Sequence, residues 1–545
     1  MTSRRTFIQT SLATALLAGC SHAPHRQTSV PGKLLGAPSS LGHRLRDGQS
    51  ILKAPAPTIT RSARVVIAGA GIAGLAAAYQ LKQRGVDDVL MLDLMDQPGG
   101  NSSSGKNDIS SYPWGAHYVP LVRNDCEPVV KLFEDLKIIT DVDAQGRFVY
   151  DDYCISADPQ ERLWRYGRWQ DGLVPSIGAT ARDHAQYRKF FALIESLKTA
   201  RGHDGRYAFS IPLDQSSSDA LWRNLDAITM HDYLLKQGFD SPLLHWYVNY
   251  CCRDDYGSTS KQTAAWAALH YFSSRNGVAA NAQPGSVVTW PEGNGHLVNE
   301  LAARGGATFQ GTALVTRVAS DNNKAVVEYF DASLDRSVRV NADAVIMCLP
   351  RFIATRVMKG LPASDSFTYA PWMVANLSVS KLPAGKGQPL SWDNVVYDSP
   401  MLGYVNATHQ GLERRHSKTV LTYYWPLSQG EPIAARREAL QRSLTEWQST
   451  VLTDLLRVHP ELDQHIDNMD VWLWGHGMIR PTPGFIWGKE RQQALQQQPP
   501  IFFAQSDMSG ISIFEEAYCR GHDAANLVAV HLKAPQEHIH SRVHA

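Results

Sequence analysis

The chain has few cysteines, no long apolar run and almost no excess charge of either sign. Seven cysteines occur in 545 residues, and none forms the Cys-x-x-Cys pair that is typical of zinc sites. The formal net charge of +1 lacks the basic excess that nucleic-acid binding requires. No apolar run reaches the ~20 residues of a membrane-spanning helix. We therefore expect no metal site, no nucleic-acid partner and no spanning helix.

The length and the composition are those of a folded protein with more than one core. A chain of 545 residues exceeds the size at which a single hydrophobic core stops growing. The composition is 43% hydrophobic and 19% charged, which is ordinary for a globular protein. The sequence therefore predicts two packed lobes.

The N-terminus resembles an export address in two parts. Arg4 and Arg5 precede a short apolar stretch from Phe7 to Ala18, as in a twin-arginine signal. The stretch ends in Leu-Ala-Gly-Cys, which is similar to a bacterial lipobox and implies cleavage before Cys20 and lipid on its thiol. A frayed N-terminus and an ordinary cleavage site are the alternatives. Residues 1–20 are thus predicted to direct the chain to the bacterial cell envelope, periplasmic or lipid-anchored at the outer face.

The two segments outside the folded lobes are predicted to lack regular structure. Residues 21–62 are rich in proline, serine and glycine and show little periodicity. This composition is typical of a linker, and we expect a flexible tether there. Residues 534–545 are expected to be a tail.

A glycine-rich turn follows a short β-branched strand near residue 70. Its sequence is Gly-Ala-Gly-Ile-Ala-Gly, and the pattern after it predicts a helix. Gly69 permits the tight turn, Gly71 lets a pyrophosphate approach the backbone, and Gly74 lets the helix lie against the strand. The free N–H groups of the first helical turn lie at the positive end of the helix dipole. The unit therefore predicts a dinucleotide-binding site.

A carboxylate stands where the ribose of a dinucleotide requires one. A second apolar strand ends in Asp93, nineteen positions after Gly74. An acid at this spacing accepts hydrogen bonds from the adenosine ribose hydroxyls. The complete series of strand, turn, helix, strand and acid is much more specific than a glycine motif alone.

Two further elements indicate which dinucleotide binds. A Gly-Gly pair, Gly99 and Gly100, follows the acid, and near the C-terminus a strand leads to Asp507 and then to a helix. This arrangement resembles that of the flavin amine oxidase and phytoene desaturase superfamily. The resemblance implies that the glycine pair lies close to the phosphates of FAD and that Asp507 binds its ribityl or pyrophosphate region.

The resemblance extends over residues 63–533 and implies an α/β fold. A Rossmann-like FAD-binding domain with a β-meander would carry an inserted α+β substrate domain. The FAD-binding domain is assigned to residues 63–150, 286–360 and 476–533, and the substrate domain to residues 151–285 and 361–475.

Two features of the resemblance concern how FAD is held. Val318, in a predicted strand of the meander, is the candidate for backbone contact with adenine, and ordinary strand packing is the alternative. No cysteine lies between Gly475 and Gly484 to attach the flavin. We therefore expect FAD to be bound non-covalently.

Candidates for the substrate side are less specific. His117 lies in a segment similar to the loop that passes the flavin ring in this superfamily, where it would move a proton or tie down the loop. Asp254 and Asp255 would hold a cationic substrate, or be solvated acids of a turn. Tryptophan and tyrosine are frequent in both substrate segments, where they form a pocket or a core.

One departure from the amine oxidase pattern bears on the reaction. Amine oxidases carry a lysine that holds a water near the flavin, and the matching stretch here has Ala375 and Asn376 instead. Asn376 is the candidate at that position, and the first lysine after it is Lys381. We expect poor use of oxygen and another electron acceptor, such as a quinone.

The sequence as a whole predicts an exported FAD-dependent oxidoreductase. It would abstract a hydride from a C–N or C–C bond of a small organic substrate. An FAD-binding isomerase or mutase without net redox chemistry, and a flavin-loaded electron carrier or structural partner in the envelope, are the alternatives.

Overall fold

The computed structural model describes residues 30–47, 57, 59–411 and 416–533. The signal and lipobox predicted at residues 1–20, and the predicted C-terminal tail, lie outside the described residues. Within the described part, no helix is both long and apolar enough to cross a membrane.

The strands of the described chain form two large sheets and three small ones. In chain order they are β1 Leu34–Gly36, β2 Ile59–Ala68, β3 Val89–Leu92, β4 Ser104–Lys106, β5 Ser111–Pro113, β6 Val119–Pro120, β7 Ile139–Val142, β8 Phe148–Tyr150, β9 Glu161–Arg165, β10 Arg168–Asp171, β11 Val287–Val288, β12 Thr308–Gln310, β13 Ala313–Asp321, β14 Lys324–Asp331, β15 Arg336–Met347, β16 Tyr369–Val379, β17 Asp393–Val396, β18 Gly403–Asn406, β19 Thr419–Pro426, β20 Ile466–Ile479 and β21 Ile501–Phe503.

The helices lie around these sheets. In chain order they are α1 Ser39–Arg46, α2 Ile72–Gln83, α3 Glu127–Asp135, α4 Ala181–Lys198, α5 Ala220–Arg223, α6 Met230–Lys236, α7 Pro242–Tyr256, α8 Ala265–Ser274, α9 Gly295–Gly305, α10 Arg351–Val357, α11 Pro432–Gln441, α12 Leu444–Leu455, α13 Lys489–Ala494 and α14 Phe514–His531. Short 3-10 turns occur at Gly100–Ser102, Asp152–Cys154, Leu213–Gln215, Asn224–Ala227, Ala407–Gln410, Leu462–His465 and Ser506–Met508.

The seven-stranded sheet is the Rossmann-like part of the fold. Its order is β12-β3-β2-β15-β14-β13, and β21 also pairs with β15. Strands β3, β2, β15 and β21 are parallel to one another, whereas β13, β14 and β15 form an antiparallel meander. Helices α2 and α14 pack on one another against this sheet, because their alanine-rich faces allow a close approach. The predicted FAD-binding architecture is thus present.

Strand β15 joins the meander to the parallel sheet. The sequence predicts two strands here, at Val338–Val340 and from Ala344 onward, whereas the structure has one continuous strand. Its first half pairs with β14 and its second half with β21, while β2 runs beside both halves. The long strand is stable because its apolar side chains are buried in two core clusters, one on each face of the sheet.

The eight-stranded sheet belongs to the substrate domain. Its order is β1-β20-β16-β19-β18-β17-β9-β10. Helices α4, α6, α7 and α8 form a separate aromatic and aliphatic core at its side. Strand β20 runs without interruption from Ile466 to Ile479, so the domain boundary predicted between residues 475 and 476 lies inside a strand.

The tether predicted for residues 21–62 is wrong over its described part. Strand β1 adds to the edge of the eight-stranded sheet by pairing in parallel with β20, and α1 follows it. Gly32 permits this contact, since a Cβ atom there would lie 2.0 Å from the carbonyl oxygen of Met469. Leu41 and Leu45 of α1 pack against Leu314 and Phe330 of the meander. We call residues 30–47 the strap, because they connect the two large sheets.

Candidate functional site

A cavity of about 1540 Å³ lies between the two large sheets. Its wall contains the glycine turn, the end of β3, the start of the meander, part of β20, the turn after β21 and the N-terminus of α14. The strap from Leu34 to Asp47 forms most of one side. The volume exceeds the roughly 300–1,000 Å³ of an ordinary small-molecule pocket, as an extended dinucleotide requires.

The three glycines of the turn have the geometry that the sequence predicts. Gly69 has a φ of +107°, which side chains rarely adopt. A Cβ atom on Gly74 would lie 2.0 Å from the carbonyl oxygen of Gly69, so this position holds the helix close to the strand. A Cβ atom on Gly71 would meet nothing within 4 Å, because Gly71 faces the cavity. That open space is where a pyrophosphate reaches the backbone.

Asp93 and the Gly99-Gly100 pair lie beside the same turn. The carboxylate of Asp93 accepts hydrogen bonds from the backbone N–H of Ala70, at 2.7 Å, and of Met95, at 2.8 Å. Burial raises its pKa above the usual range. Gly99 donates its N–H to the carbonyl of Ala70 at 2.8 Å, and both Gly99 and Gly100 line the cavity. The structure therefore brings these predicted residues together.

Asp507 reaches the cavity from the opposite direction. One carboxylate oxygen accepts hydrogen bonds from the Tyr369 hydroxyl and the Arg351 N–H, each at 2.6 Å. The other oxygen is buried and has no protein partner. Burial raises the pKa of Asp507 to about 6, and the Tyr369 hydroxyl opposes that shift. An acceptor without a donor, on a residue that lines the cavity, indicates that a ligand supplies the donor.

These residues fit FAD. Gly71 leaves room for the pyrophosphate, and Asp93 lies where the ribose is expected. The second carboxylate oxygen of Asp507 can accept a hydrogen bond from a hydroxyl or N–H group of the cofactor. Ser512, Ile513 and Phe514, at the N-terminus of α14, also line the cavity, and the positive end of a helix dipole favours negative charge on a ligand.

Val318 does not line this cavity, contrary to the prediction for adenine contact. Its side chain is buried in the core between the meander and α10. Val315, three residues earlier, lines the cavity together with Ala313 and Leu314. The register of β13 shifts between Val315 and Arg317, an irregularity that a sequence pattern does not reveal.

Asn376 also lies away from the cavity lining, and its predicted catalytic role has no support in the geometry. It is buried in β16, where it donates to the carbonyl of Pro113 at 3.0 Å and accepts from the Thr422 hydroxyl at 2.7 Å. Both ends of its side-chain amide are therefore used to hold the segment at Pro113 against the sheet.

His117 lies behind the cavity wall, and its predicted catalytic role stays a prediction. Its neighbour Ala116 lines the cavity, whereas the imidazole stacks on Tyr424 with ring centroids 4.7 Å apart. The hydroxyl of Tyr424 donates to the carbonyl of Gly115 at 3.0 Å. Burial lowers the pKa of His117 to about 4, so the ring is neutral at physiological pH.

Three carboxyl groups surround the space beyond His117, and we call them the acidic triad. Glu161 and Asp393 are register partners on the parallel strands β9 and β17, so their side chains project from the same face of the sheet. Asp254 reaches them from helix α7, close enough to raise the pKa of both Asp393 and the Tyr250 hydroxyl. Tyr250 donates to Asp393 at 3.4 Å. The triad thus combines three parts of the chain.

The cations nearest to the triad are already engaged. Arg275 forms a buried ion pair with Asp255, and Arg253 donates to the carbonyl of Pro400. No residue of the described chain donates a hydrogen bond to the carboxyl of Glu161 or of Asp254. Both keep part of their surface accessible.

The protonation of the triad reflects this lack of partners. Burial raises the pKa of Glu161 to about 7, and Asp171 adds to the effect. Burial and then Asp255 raise the pKa of Asp254 to about 7. Burial and then Glu161 raise that of Asp393 well above its usual range. Three acids so close together favour a bound cation.

The sequence indicated Asp254 and did not indicate Glu161 or Asp393. Asp254 is half-buried in the last turn of helix α7, so the alternative of a solvated turn acid is wrong. The sequence carries one signal for both residues. Each is an acid at the first position of a strand, Glu161 in β9 and Asp393 in β17, and the residues that follow it are mostly buried.

Two curated relatives match parts of the chain. The oxidoreductase PigB of Serratia sp. (strain ATCC 39006) is 22% identical over 272 residues, which cover 46% of this chain and 39% of that protein. Polyamine oxidase 7 of Oryza sativa subsp. japonica is 32% identical over 107 residues, which cover 18% of this chain and 23% of that protein. The chain thus spans well under half the length of each relative.

Solved structures match over a larger part of the chain. Wild-type putrescine oxidase bound to putrescine superposes with a TM-score of 0.59 at 16% identity, covering 86% of this chain and 100% of that one. A fatty acid isomerase from P. acnes gives a TM-score of 0.57 at 16% identity, covering 86% of this chain and 99% of that one. At such identities the likeness shows the fold alone.

Residues 72–529 match the sequence profile of the flavin-containing amine oxidoreductases. This range includes the second half of the glycine turn, Asp93, the triad and Asp507. Since the match covers most of the chain and the cavity fits the cofactor, the protein belongs to the flavin-containing amine oxidoreductase family and is an FAD-dependent oxidoreductase.

Proposed function

We propose that the protein oxidises a carbon–nitrogen bond of a cationic organic amine. The observation that supports this choice over a carbon–carbon bond is the acidic triad, whose carboxyl groups form no ion pair with any described residue, although Arg253 and Arg275 lie near Asp254. A neutral hydrocarbon would leave Glu161 and Asp393 side by side and unpaired, and like charges directly opposite on a sheet are destabilising. A bound ammonium group removes that repulsion.

The aromatic side chains around the triad suit the same ligand. Tyr250 and Trp246 stack with ring centroids 5.7 Å apart, and His117, Trp392 and Tyr424 form a second group. Aromatic faces attract ammonium groups and also cover the methylene chain between them. These residues therefore provide negative charge for the ammonium group of an amine and apolar surface for its methylene chain.

Residues of the cavity would hold FAD through the glycine turn, Asp93 and Asp507, without a covalent bond. FAD, when bound, would accept the hydride, which carries both electrons of the oxidation, from the carbon next to nitrogen. The loop from Trp114 to His117 lies between the cavity and the triad, and Trp474 donates to the carbonyl of Trp114 at 2.6 Å. This hydrogen bond fixes the position of the loop that the substrate must pass for its carbon to reach FAD.

The triad also has the acidity to handle a proton. An ammonium group must lose a proton before its nitrogen lone pair assists oxidation. Glu161 and Asp254 each have a pKa of about 7, so their ionised forms accept that proton near neutral pH at little cost. Because His117 is neutral, its imidazole contributes an aromatic surface stacked on Tyr424 and no positive charge.

We also propose that the protein acts outside the cytoplasm and is anchored by lipid on Cys20. The support is the order of Arg4, Arg5, the apolar stretch and the lipobox-like sequence. Cell fractionation of an Arg4→Lys, Arg5→Lys double variant tests export, since normal export of this variant contradicts the proposal. A Cys20→Ala variant tests the anchor through its loss of palmitate labelling.

Anaerobic reduction of the FAD-loaded protein tests the reaction itself. We expect putrescine or spermidine to bleach the flavin absorbance, and 1,4-butanediol, a neutral analogue of similar length, to leave it unchanged. The Glu161→Gln, Asp393→Asn double variant should need roughly tenfold more amine or a larger excess for half-maximal bleaching, because it loses charged contacts. Glu195→Gln, at an exposed acid on α4, serves as the control.

Two outcomes would contradict amine oxidation. One is bleaching by a neutral unsaturated compound but by no amine, which would favour oxidation of a carbon–carbon bond. The other is conversion of a substrate to an isomer while the flavin needs prior reduction, which would make the protein an isomerase.

A further inference from the structure

We propose that the mouth of the FAD cavity docks on an anionic membrane surface. The inference goes beyond the reaction, because it concerns the surface that surrounds the opening and not the groups that act inside. It comes from the face that helix α11 presents, from the residues opposite this face, and from the point at which the strap enters the fold.

One face of α11 combines arginines with exposed apolar side chains. Ile433, Arg436, Arg437 and Leu440 follow the i, i+3, i+4, i+7 spacing of a single helical face, and all four line the cavity. Ile433 is 55% exposed and Leu440 is 44% exposed. Ala439, which lies off this face, is buried. Helices of this type bind at membrane interfaces, with apolar residues in the lipid and cations at the headgroups.

Residues on the other side of the opening continue the same surface. Leu34 of the strap lines the cavity and is 41% exposed. Arg46 and Arg356 also line it and are exposed. We call the four residues of α11 together with Leu34, Arg46 and Arg356 the rim. Its apolar residues come from two separate segments that meet only around this opening.

The charges at the opening favour an anionic partner. Four arginines line it, namely Arg46, Arg356, Arg436 and Arg437, against the three acids Asp47, Asp365 and Glu431. Asp47 pairs with Arg46, and Glu431 caps α11 by accepting from two of its N–H groups. In the described part of the chain, neither Arg356 nor Arg437 has a carboxylate partner. These two arginines remain available for lipid phosphates.

The entry point of the strap places the rim near a lipid attached upstream. Cys20, the proposed lipid attachment site, precedes Val30 by ten residues, and ten residues span at most about 35 Å. The strap then reaches the rim at Leu34. A chain anchored at Cys20 thus brings this opening, rather than the opposite side of the molecule, toward the bilayer. A quinone, the acceptor suggested for this protein, would enter from the same lipid phase.

Vesicle sedimentation tests the proposal with no need for turnover. The probe is sucrose-loaded vesicles of phosphatidylglycerol and phosphatidylcholine, compared with phosphatidylcholine alone. The protein is the FAD-loaded full chain with Cys20→Ser, so that no acyl chain contributes, and all variants share this background. We expect binding to the mixed vesicles, and a loss of roughly tenfold for Ile433→Asp with Leu440→Asp and for Arg356→Glu with Arg437→Glu.

The matched control is Leu527→Asp with Val530→Asp. These two residues are exposed apolar side chains on α14, and their substitution should leave vesicle binding unchanged. Thermal unfolding midpoints identify any variant that is not folded, and such a variant is replaced by Ile433→Ser with Leu440→Ser.

Three results would overturn the proposal. They are equal binding to both kinds of vesicle, equal loss in the α14 control, and a dimer by light scattering that the α11 variant converts to a monomer. The last would identify the rim as an interface between two copies of the chain. None of these results affects amine oxidation, which the flavin bleaching measures separately.

Discussion

Glu161 and Asp393 lie directly opposite each other on adjacent parallel strands, and no cation of the described residues forms an ion pair with either. Burial raises the pKa of Glu161 to about 7, from 4.5 for an unperturbed glutamate. The folded protein therefore holds this proton more tightly than the unfolded chain. The contribution of Glu161 to stability must decrease as the pH rises from about 4.5 to about 7.

The first prediction is that Glu161→Gln stabilises the substrate-free protein at alkaline pH. We expect the free energy of unfolding to increase by about 1–2 kcal/mol at pH 8, with no gain at pH 5 where Glu161 is already protonated. Thermal or urea unfolding at both pH values measures this. An equal effect at both, or an equal gain from the exposed control Glu195→Gln, would argue against a buried ionised glutamate.

The second prediction concerns proton release when an amine binds. At pH 7, Glu161 and Asp254 are each about half protonated, given pKa values of about 7. A bound ammonium group lowers both pKa values, so binding releases protons and strengthens as the pH rises through 7. Calorimetric titration of putrescine in two buffers of different ionisation enthalpy measures the release. Heats that are independent of the buffer would contradict the role of the triad.

The third prediction separates the roles of two glycines in the turn. Gly71→Val should abolish FAD binding but leave the apoprotein folded, because its Cβ atom meets only open space. Gly74→Ala should lower the unfolding midpoint even without FAD, because its Cβ atom would lie 2.0 Å from a backbone oxygen. The FAD content after gel filtration measures the effect of Gly71→Val, and melting curves of the apoproteins measure the effect of Gly74→Ala. The reverse pattern would be incompatible with this geometry.

The fourth prediction is that the strap retains FAD. Leu45→Asp places a charge among the apolar side chains of Leu41, Leu314 and Phe330, which should detach α1 and open one side of the cavity. We expect FAD to dissociate about tenfold faster or more, since burial of a leucine contributes about 2 kcal/mol. Stopped-flow dilution into apoflavodoxin measures the rate. Leu527→Asp, at an exposed leucine of α14 outside the cavity lining, is the matched control and should change nothing.

The cofactor half of the site could be predicted because each part is local. Gly69, Gly71 and Gly74 lie within six residues, and Asp93 follows at a fixed distance along the chain. Asp507 could be found because it ends a strand just before a helix. In each case the chemistry depends on neighbours in sequence.

The substrate half depends on contacts between distant residues. Glu161 pairs in register with Asp393, 232 residues away along the chain, and no periodicity links them. Asn376 lies in strand β16, where Pro113 and Thr422 engage its amide. The composition of the strap predicts a tether because proline and glycine disfavour β-strands in general. A short edge strand nevertheless tolerates both residues.

The position of β1 has a consequence for the order of folding. Lys33 donates its N–H to the side chain of Asp470, across a separation of 437 residues, and Leu34 pairs with Val471. The ribosome therefore produces β1 long before its partner β20, since 437 residues separate Lys33 from Asp470. Contacts of such high sequence separation form slowly. The β1 edge of the eight-stranded sheet can close only after β20 has been made, and we expect the cofactor to have an open route into the cavity until then.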